Sequence, residues 1–166
     1  WGGAAGHDGQ NGVPHMGANQ SNVPIEMIEQ EYPIRIERYG LVPDTGGAGR
    51  HRGGLSLTRE YRVLEGEAIL SVRSDKRDFP PHGLFGGKPG APSWNIVNPD
   101  SNPQVLPVLM TEVAQMKAGD VYRHIMSSGG GFGDPLERDP ERVLADVRDE
   151  KVTPAHAREA YGVVVA

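Results

Sequence analysis

The stretch from Ser127 to Pro135 places four glycines in five positions, interrupted only by Phe132. Glycine loses the most backbone entropy on ordering and has no side chain to pack, so this run is unsuited to the interior of a helix or strand. It follows a strand-like segment and precedes a helix signal. The amides of Gly129, Gly130 and Gly131 are therefore candidates to face an anion or a developing oxyanion of a substrate. The alternative is a tight turn with positive φ angles, because the run lacks the Lys-Ser/Thr of a phosphate-binding loop.

A second glycine-rich loop, residues 43–54, carries two arginines. Guanidinium groups bind phosphoryl and carboxylate groups with paired hydrogen bonds, so Arg50 and Arg52 are candidates for holding a phosphorylated intermediate. Arginines in loops are more often solvated or paired with Asp and Glu. The spacing leaves both interpretations open.

Residues 1–22 are rich in Gly, Asn, Gln and His and nearly free of apolar side chains. Such a segment cannot fold by itself, so we expect it to be disordered or packed on a partner or a missing part of the protein. His15 is a candidate acid, base or hydrogen-bond donor, and Asn19 and Asn22 suit an amide or carbonyl group. Contact with an upstream segment and helix capping are the alternatives. Glu26 either contacts substrate or only complements a helix dipole.

The composition bounds the class of protein. A chain of 166 residues with 37% hydrophobic and 23% charged residues fits one soluble domain, and 23 Gly with 14 Pro favour short strands joined by loops. A net charge of −5 offers no basic surface for nucleic acid or an acidic membrane. The absence of cysteine excludes disulfides, thiol nucleophiles and Cys-based zinc sites, and fits the cytoplasm. The histidine spacing predicts no metal site. The missing initiating Met suggests a fragment or processed chain.

The hydrophobic patterns predict an α+β fold of short, mainly antiparallel strands with long Gly/Pro loops. Residues 24–31 are expected to form a short helix, and residues 140–149 and 154–161 two further helices, each with a capping residue followed by Pro. Alternation predicts a β-hairpin from residues 55–63 and 68–72, with further strands at 34–37, 94–97, 105–110, 120–126 and 163–165. The predicted division is a Gly/Asn-rich segment at 1–22 and a β-rich domain at 23–166.

Several motifs follow one another along nearly the whole chain: Asn-x-x-Asn-x-Pro-x-Glu at 19–26, Tyr-Pro at 32–33, Gly-Gly-Ala-Gly-Arg-x-Arg-Gly-Gly at 46–54, Pro-x-Gly-Leu-Phe-Gly-Gly-x-Pro-Gly at 81–90, and Gly-Gly-Gly-Phe-Gly-Asp-Pro-Leu-Glu-Arg-Asp-Pro-Glu at 129–141. In content and order they resemble the C-terminal part of hydantoinase B/oxoprolinase family proteins. One departure is His82, where the family pattern usually has an aromatic residue.

The resemblance implies a subunit that hydrolyses cyclic amides such as 5-oxoproline, hydantoins or lactams with ATP. Its expected partners are a hydantoinase A-type ATPase, which would bind ATP with Mg, the upstream part of the same subunit, and a small-molecule substrate. A related branch carboxylates ketones such as acetone or acetophenone, so a carboxylase subunit is an alternative. Any divalent metal is expected upstream of Trp1. A non-catalytic assembly module is a third interpretation, since loops on a β scaffold also serve recognition. In each case we expect residues 1–166 alone to be catalytically silent.

Overall fold

The computed structural model describes residues 1–14, 17–18 and 20–165. The fold is α+β, as predicted. Its helices are α1 Ile25–Glu31, α2 Pro140–Arg148 and α3 Pro154–Tyr161, with a short 3₁₀ helix at Pro135–Glu137. Its strands are β1 Ile34–Val42, β2 Ser56–Val63, β3 Glu67–Leu70, β4 Trp94–Val97, β5 Gln104–Val105, β6 Ala114–Lys117 and β7 Val121–Ile125.

Five strands form one antiparallel sheet in the order β1-β2-β7-β4-β5, and β3 pairs with β6 in a separate two-stranded sheet. The predicted hairpin between residues 55–63 and 68–72 is therefore wrong. Both edges of β2 are occupied, by β1 and β7, so β3 has no free edge of β2 to join. The strand predicted at 105–110 is reduced to Gln104–Val105.

The C-terminal helices begin and end where their capping residues predicted. The Asp139 side chain accepts a hydrogen bond from the Glu141 amide, and Thr153 caps α3 in the same way. Gly162 ends α3 with φ of 68°, a left-handed conformation that glycine adopts at little cost. The two helices bury a small apolar core. The tail strand predicted at 163–165 is wrong, because Val163 and Val165 pack on this core instead.

The glycine-rich loops pack against one another through their backbones, in what we call the glycine layer: residues 46–54, 83–90 and 129–131. The Gly129 amide donates to the Gly54 carbonyl at 2.8 Å, and the Gly131 amide to the Lys88 carbonyl at 2.9 Å. Gly129, Gly130 and Gly131 all lack positive φ angles. Two of the three amides considered for anion binding are thus used within the fold, and close backbone approach explains the glycines.

The first 12 residues lie on this layer. The Gly3 amide donates to the Gly130 carbonyl at 2.8 Å, and the Gly9 amide to the Arg52 carbonyl at 2.7 Å. The two carboxylate oxygens of Asp8 accept hydrogen bonds from the two terminal nitrogens of Arg138, at 2.7 and 2.9 Å. Residues 1–12 therefore pack on the rest of the chain through specific hydrogen bonds. The predicted boundary between a Gly/Asn-rich segment at 1–22 and a β-rich domain at 23–166 stays a prediction.

Asp8 should make the stability of the fold sensitive to acid. Burial, the largest single influence, would raise the pKa of this carboxyl, but the hydrogen bonds and charges of Arg138, the Arg52 amide and Arg142 together lower it from 3.8 to about 2. Because the folded pKa lies below the unfolded one, ionised Asp8 stabilises the fold above about pH 4, and this contribution is lost as pH falls through about 2.

We therefore expect Asp8→Asn to lower the free energy of unfolding at pH 7, and the gap to wild type to close between about pH 4 and pH 2. Urea unfolding across this range measures it. Asp78→Asn is the matched control, since Asp78 is exposed and has no ion pair among the described residues. A gap that stays constant with pH would contradict the assignment.

In the described part of the chain, the longest helix has nine residues, and none is long and apolar enough to cross a bilayer.

Candidate functional site

Four polar side chains lie in one row across the large sheet, which we call the polar row: Tyr39, Arg59, His124 and Asn95. The strand register places Tyr39 opposite Arg59, Arg59 opposite His124, and His124 opposite Asn95. Residues directly opposite each other in antiparallel strands share a face, so the row runs from β1 through β2 and β7 to β4. Tyr61 and Tyr122 form the adjacent pair.

This face of the sheet borders a cleft of about 1150 Å³. Side chains from the sheet, from the N-terminal segment and from the loop at 71–74 line it, and the glycine layer closes one side. Its lining includes Asn22, Arg59, Tyr61, Arg73, His82, Tyr122, His124, Gly129 and Gly130. The volume is just above the roughly 300–1,000 Å³ of typical small-molecule pockets, in which a few polar groups orient the ligand.

Asn95 orients His124. Its side-chain oxygen lies 2.7 Å from His124 Nδ1 and accepts a hydrogen bond from the Tyr122 hydroxyl at 2.8 Å. Because an amide oxygen only accepts, Nδ1 carries the proton, and Nε2 of the neutral ring keeps its lone pair. Burial lowers the pKa of the His124 imidazole, and the nearby charge of Arg59 adds to this, against a hydrogen bond with the Trp94 backbone. His124 is thus a neutral base at pH 7.

The Tyr122 phenol supports this arrangement. Burial, together with Tyr61, raises its pKa to about 12, so the hydroxyl stays protonated and donates to Asn95. Asn95 is fully buried, and its amide nitrogen donates to Ser74 Oγ at 2.8 Å. The carboxamide is held at both ends, which fixes the orientation of the imidazole.

Arg59 is held by two tyrosines. Its guanidinium carbon lies 4.4 Å from the centre of the Tyr39 ring, and one terminal nitrogen donates to the Tyr61 hydroxyl at 2.9 Å. The Tyr61 and Tyr122 rings stack with centres 6.2 Å apart. Asn22 Nδ2 donates to the Tyr39 hydroxyl at 2.9 Å, which ties the N-terminal segment to the row.

The sequence profile of the hydantoinase B/oxoprolinase family matches residues 1–135. The chain belongs to this family. The motifs at 19–26, 46–54 and 81–90 lie wholly within the matched part, so the resemblance inferred from them is confirmed.

Relatives within the family differ in activity. The B-type component of a putative D-/L-hydantoinase of Pseudomonas sp. NS671 is 35% identical over 166 residues, covering 99% of this chain and 28% of that protein. The acetone carboxylase alpha subunit of Xanthobacter autotrophicus is 36% identical over an alignment that covers 85% of this chain and 22% of that subunit. The crystal structure of the ATP-dependent caprolactamase of Pseudomonas jessenii aligns with a TM-score of 0.71 and 30% sequence identity. The alignment covers 86% of this chain and 25% of the caprolactamase chain. The chain thus spans between 22% and 28% of the length of these three proteins.

Of the three residues predicted from the sequence to be catalytic, the structure describes only Asn22. Asn22 lines the cleft beside the polar row. His15 and Asn19 lie outside the described residues. Pro14 and Gln20, the described residues that flank this stretch, both line the cleft.

The residues predicted to bind substrate are dispersed. Gly129 and Gly130 line the cleft. Gly131 does not, and its amide donates to the Lys88 carbonyl within the glycine layer. Glu26 is exposed on α1, and Arg50 is exposed opposite Glu137 at 3.8 Å. Arg52 is only 3% exposed, and both its Nε and one terminal nitrogen donate to the Asp146 carboxylate. The structure thus brings together Asn22, Gly129 and Gly130, but not the two arginines.

Sequence reasoning missed the polar row. Two alternating pairs offered a signal: Arg59-x-Tyr61 and Tyr122-x-His124 each place two polar-tipped side chains on one face of a strand. Their meeting depends on β2 pairing with β7, which are about 60 residues apart in the sequence. Alternation alone does not predict that pairing.

The described lining of the cleft offers no carboxylate ligand for a magnesium ion. Mg²⁺ prefers oxygen ligands, usually including one or two carboxylates, and none of the described lining residues is Asp or Glu. Within residues 1–14, 17–18 and 20–165, no group of three His, Asp or Glu side chains could hold a metal.

Proposed function

We propose that this chain forms one wall of the substrate site in an enzyme that hydrolyses a cyclic amide with ATP. The observation that carries the proposal is His124, a neutral imidazole oriented by Asn95 at the edge of a small-molecule cleft. The sequence identity with the D-/L-hydantoinase component supports the choice of substrate class. ATP with Mg would bind to a hydantoinase A-type ATPase partner, and the upstream part of the same protein would complete the site.

Hydrolysis of an amide needs a group that accepts a proton from water and later returns one to the leaving nitrogen. His124 suits this role, since its Nδ1–H is anchored on Asn95 and the neutral ring carries a basic lone pair on Nε2. We propose that Asn22 holds the substrate carbonyl or amide, as its carboxamide both donates and accepts. His15 and Asn19 remain proposed catalytic residues of the same segment.

Among the residues predicted to bind substrate, Gly129 and Gly130 keep a proposed role in shaping the cleft. Gly131, Glu26, Arg50 and Arg52 do not line it. We propose no substrate contact for them at this site.

A ketone carboxylase is the second candidate, because the acetone carboxylase alpha subunit is similarly identical to this chain. Either reaction would use a base and a carbonyl-binding amide in the cleft. The two differ in their co-substrate, since only a carboxylase consumes bicarbonate.

The decisive experiment assays the complete enzyme, with its ATPase partner, on 5-oxoproline, hydantoin, caprolactam and acetophenone. We expect ring opening of a cyclic amide that requires ATP and is independent of bicarbonate. A product that forms only with bicarbonate would favour the carboxylase. No product from any of the four substrates would remove both candidates.

An assembly role is tested in the same preparation with Asn22→Ala. A fall in turnover with the complex intact supports the enzymatic role of the cleft. Loss of association with the ATPase, measured by size-exclusion chromatography, would instead favour an assembly module.

A further inference from the structure

The described lining of the cleft carries no carboxylate, although the protein as a whole is acidic. The chain has 22 Asp and Glu and a net charge of −5, yet none of the described residues that line the cleft is acidic. Two arginines, Arg59 and Arg73, line it. Clefts lined by one sign of charge concentrate ligands of the opposite sign.

Arg59 differs from most arginines of the fold. Eight others pair with a carboxylate within 4.0 Å: Arg35, Arg38, Arg50, Arg52, Arg62, Arg123, Arg138 and Arg142. Among the described residues, Arg59 has no such partner, although it is half-buried and borders the cleft. Its neighbours are the Tyr39 ring and the Tyr61 hydroxyl, which carry no charge to balance it.

We infer that Arg59 is the centre of an anion subsite, which takes a carboxylate or phosphoryl group of a small molecule, and that Arg73 of the same cleft adds to its positive potential. A guanidinium presents a planar set of N–H donors that matches two oxygens of either group. Arg59 is held in place by Tyr39 and Tyr61, so little side-chain freedom is lost on binding. The inference rests on the proposed function only in placing a small molecule in this cleft, and it names the charge that this molecule carries.

The test uses the purified full-length protein that carries this chain, free of nucleotide. Inorganic phosphate and sodium acetate are titrated separately by calorimetry at low ionic strength, where screening is weakest. We expect one of them to bind, and Arg59→Gln to raise its Kd at least about tenfold, the loss of a charge-assisted pair. Arg73 is exposed, so Arg73→Gln should raise the Kd only several-fold. The Kd of Arg59→Lys should lie between those of wild type and Arg59→Gln.

Arg158→Gln is the matched control, since it removes the same charge from an exposed position on α3. It should change Kd less than twofold. Binding of acetate but not phosphate assigns the subsite to a carboxylate, and the reverse assigns it to a phosphoryl group. If neither anion binds, or if Arg59→Gln leaves the Kd of the bound anion unchanged, the inference is overturned.

The two proposals fail separately. If the anion binds through Arg59 but no cyclic amide is hydrolysed, the subsite stands and the proposed reaction does not. If a cyclic amide is hydrolysed but Arg59→Gln leaves both anion binding and KM unchanged, only the subsite is lost.

Discussion

Replacing His124 by glutamine is expected to lower kcat of the complete enzyme by about 10²- to 10⁴-fold, the usual contribution of a positioned general base. Glutamine occupies similar space and can hydrogen-bond to Asn95, but it cannot carry a proton between water and the leaving nitrogen. KM should change little, because binding depends on other groups of the cleft. The measurement is steady-state turnover with whichever of the four substrates the complete enzyme converts.

The pH profile separates a proton carrier from a merely structural histidine. Burial lowers the pKa of His124 below its ordinary value of 6.5, so the neutral base persists into mildly acidic solution. The acidic limb of kcat should therefore have its midpoint below 6.5 in wild type and vanish in the variant. Arg59 lies opposite His124 on the neighbouring strand, and its positive charge also lowers the pKa of His124.

His156→Gln is the matched control, since it removes an imidazole from α3, away from the cleft lining. It should keep wild-type kcat and the acidic limb. Full turnover in His124→Gln would refute the proton-transfer role, whatever happens to stability.

The second large effect concerns folding. Gly53→Ala is expected to destabilise the protein by about 3 kcal/mol or more, or to prevent folding, because overpacking a rigid interior forces the backbone to move. A Cβ at Gly53 would overlap the Gly129 carbonyl and press on that of Gly130. Both are backbone atoms of the glycine layer and cannot turn aside as a side chain would.

Gly40→Ala provides the matched control. Gly40 lies within β1, lacks a positive φ, and has no atom within 4 Å of the place that an alanine methyl group would occupy. Alanine there should be neutral or slightly stabilising, because it restricts the unfolded chain. Urea unfolding of the two variants measures the difference, and equal stability would contradict the close packing of the glycine layer.

Local sequence determined the helices. The capping residues Asp139 and Thr153, each followed by Pro, and the terminating Gly162 act within one or two helical turns. They can therefore be recognised from the sequence without knowledge of the fold. The ordered glycine and proline motifs also identified the family, because they extend over most of the chain.

Alternation in β2 predicted a strand with two faces but not their surroundings. The polar face is the more deeply buried one, with Ser56, Thr58 and Glu60 each at most 5% exposed. Glu60 is compensated there by Arg123, 2.8 Å away on β7. A partner from a distant strand makes that burial tolerable, and alternation carries no information about it.

Only the tertiary structure decided the site. Arg52 and Arg59 are close in sequence, yet one is buried against Asp146 and the other borders the cleft without a carboxylate among the described residues. Likewise Gly129 serves backbone contact rather than a turn, because Gly54 and Trp1 approach it from elsewhere in the chain. Strand pairing and loop packing join residues far apart in sequence, and that long-range geometry is what local patterns leave open.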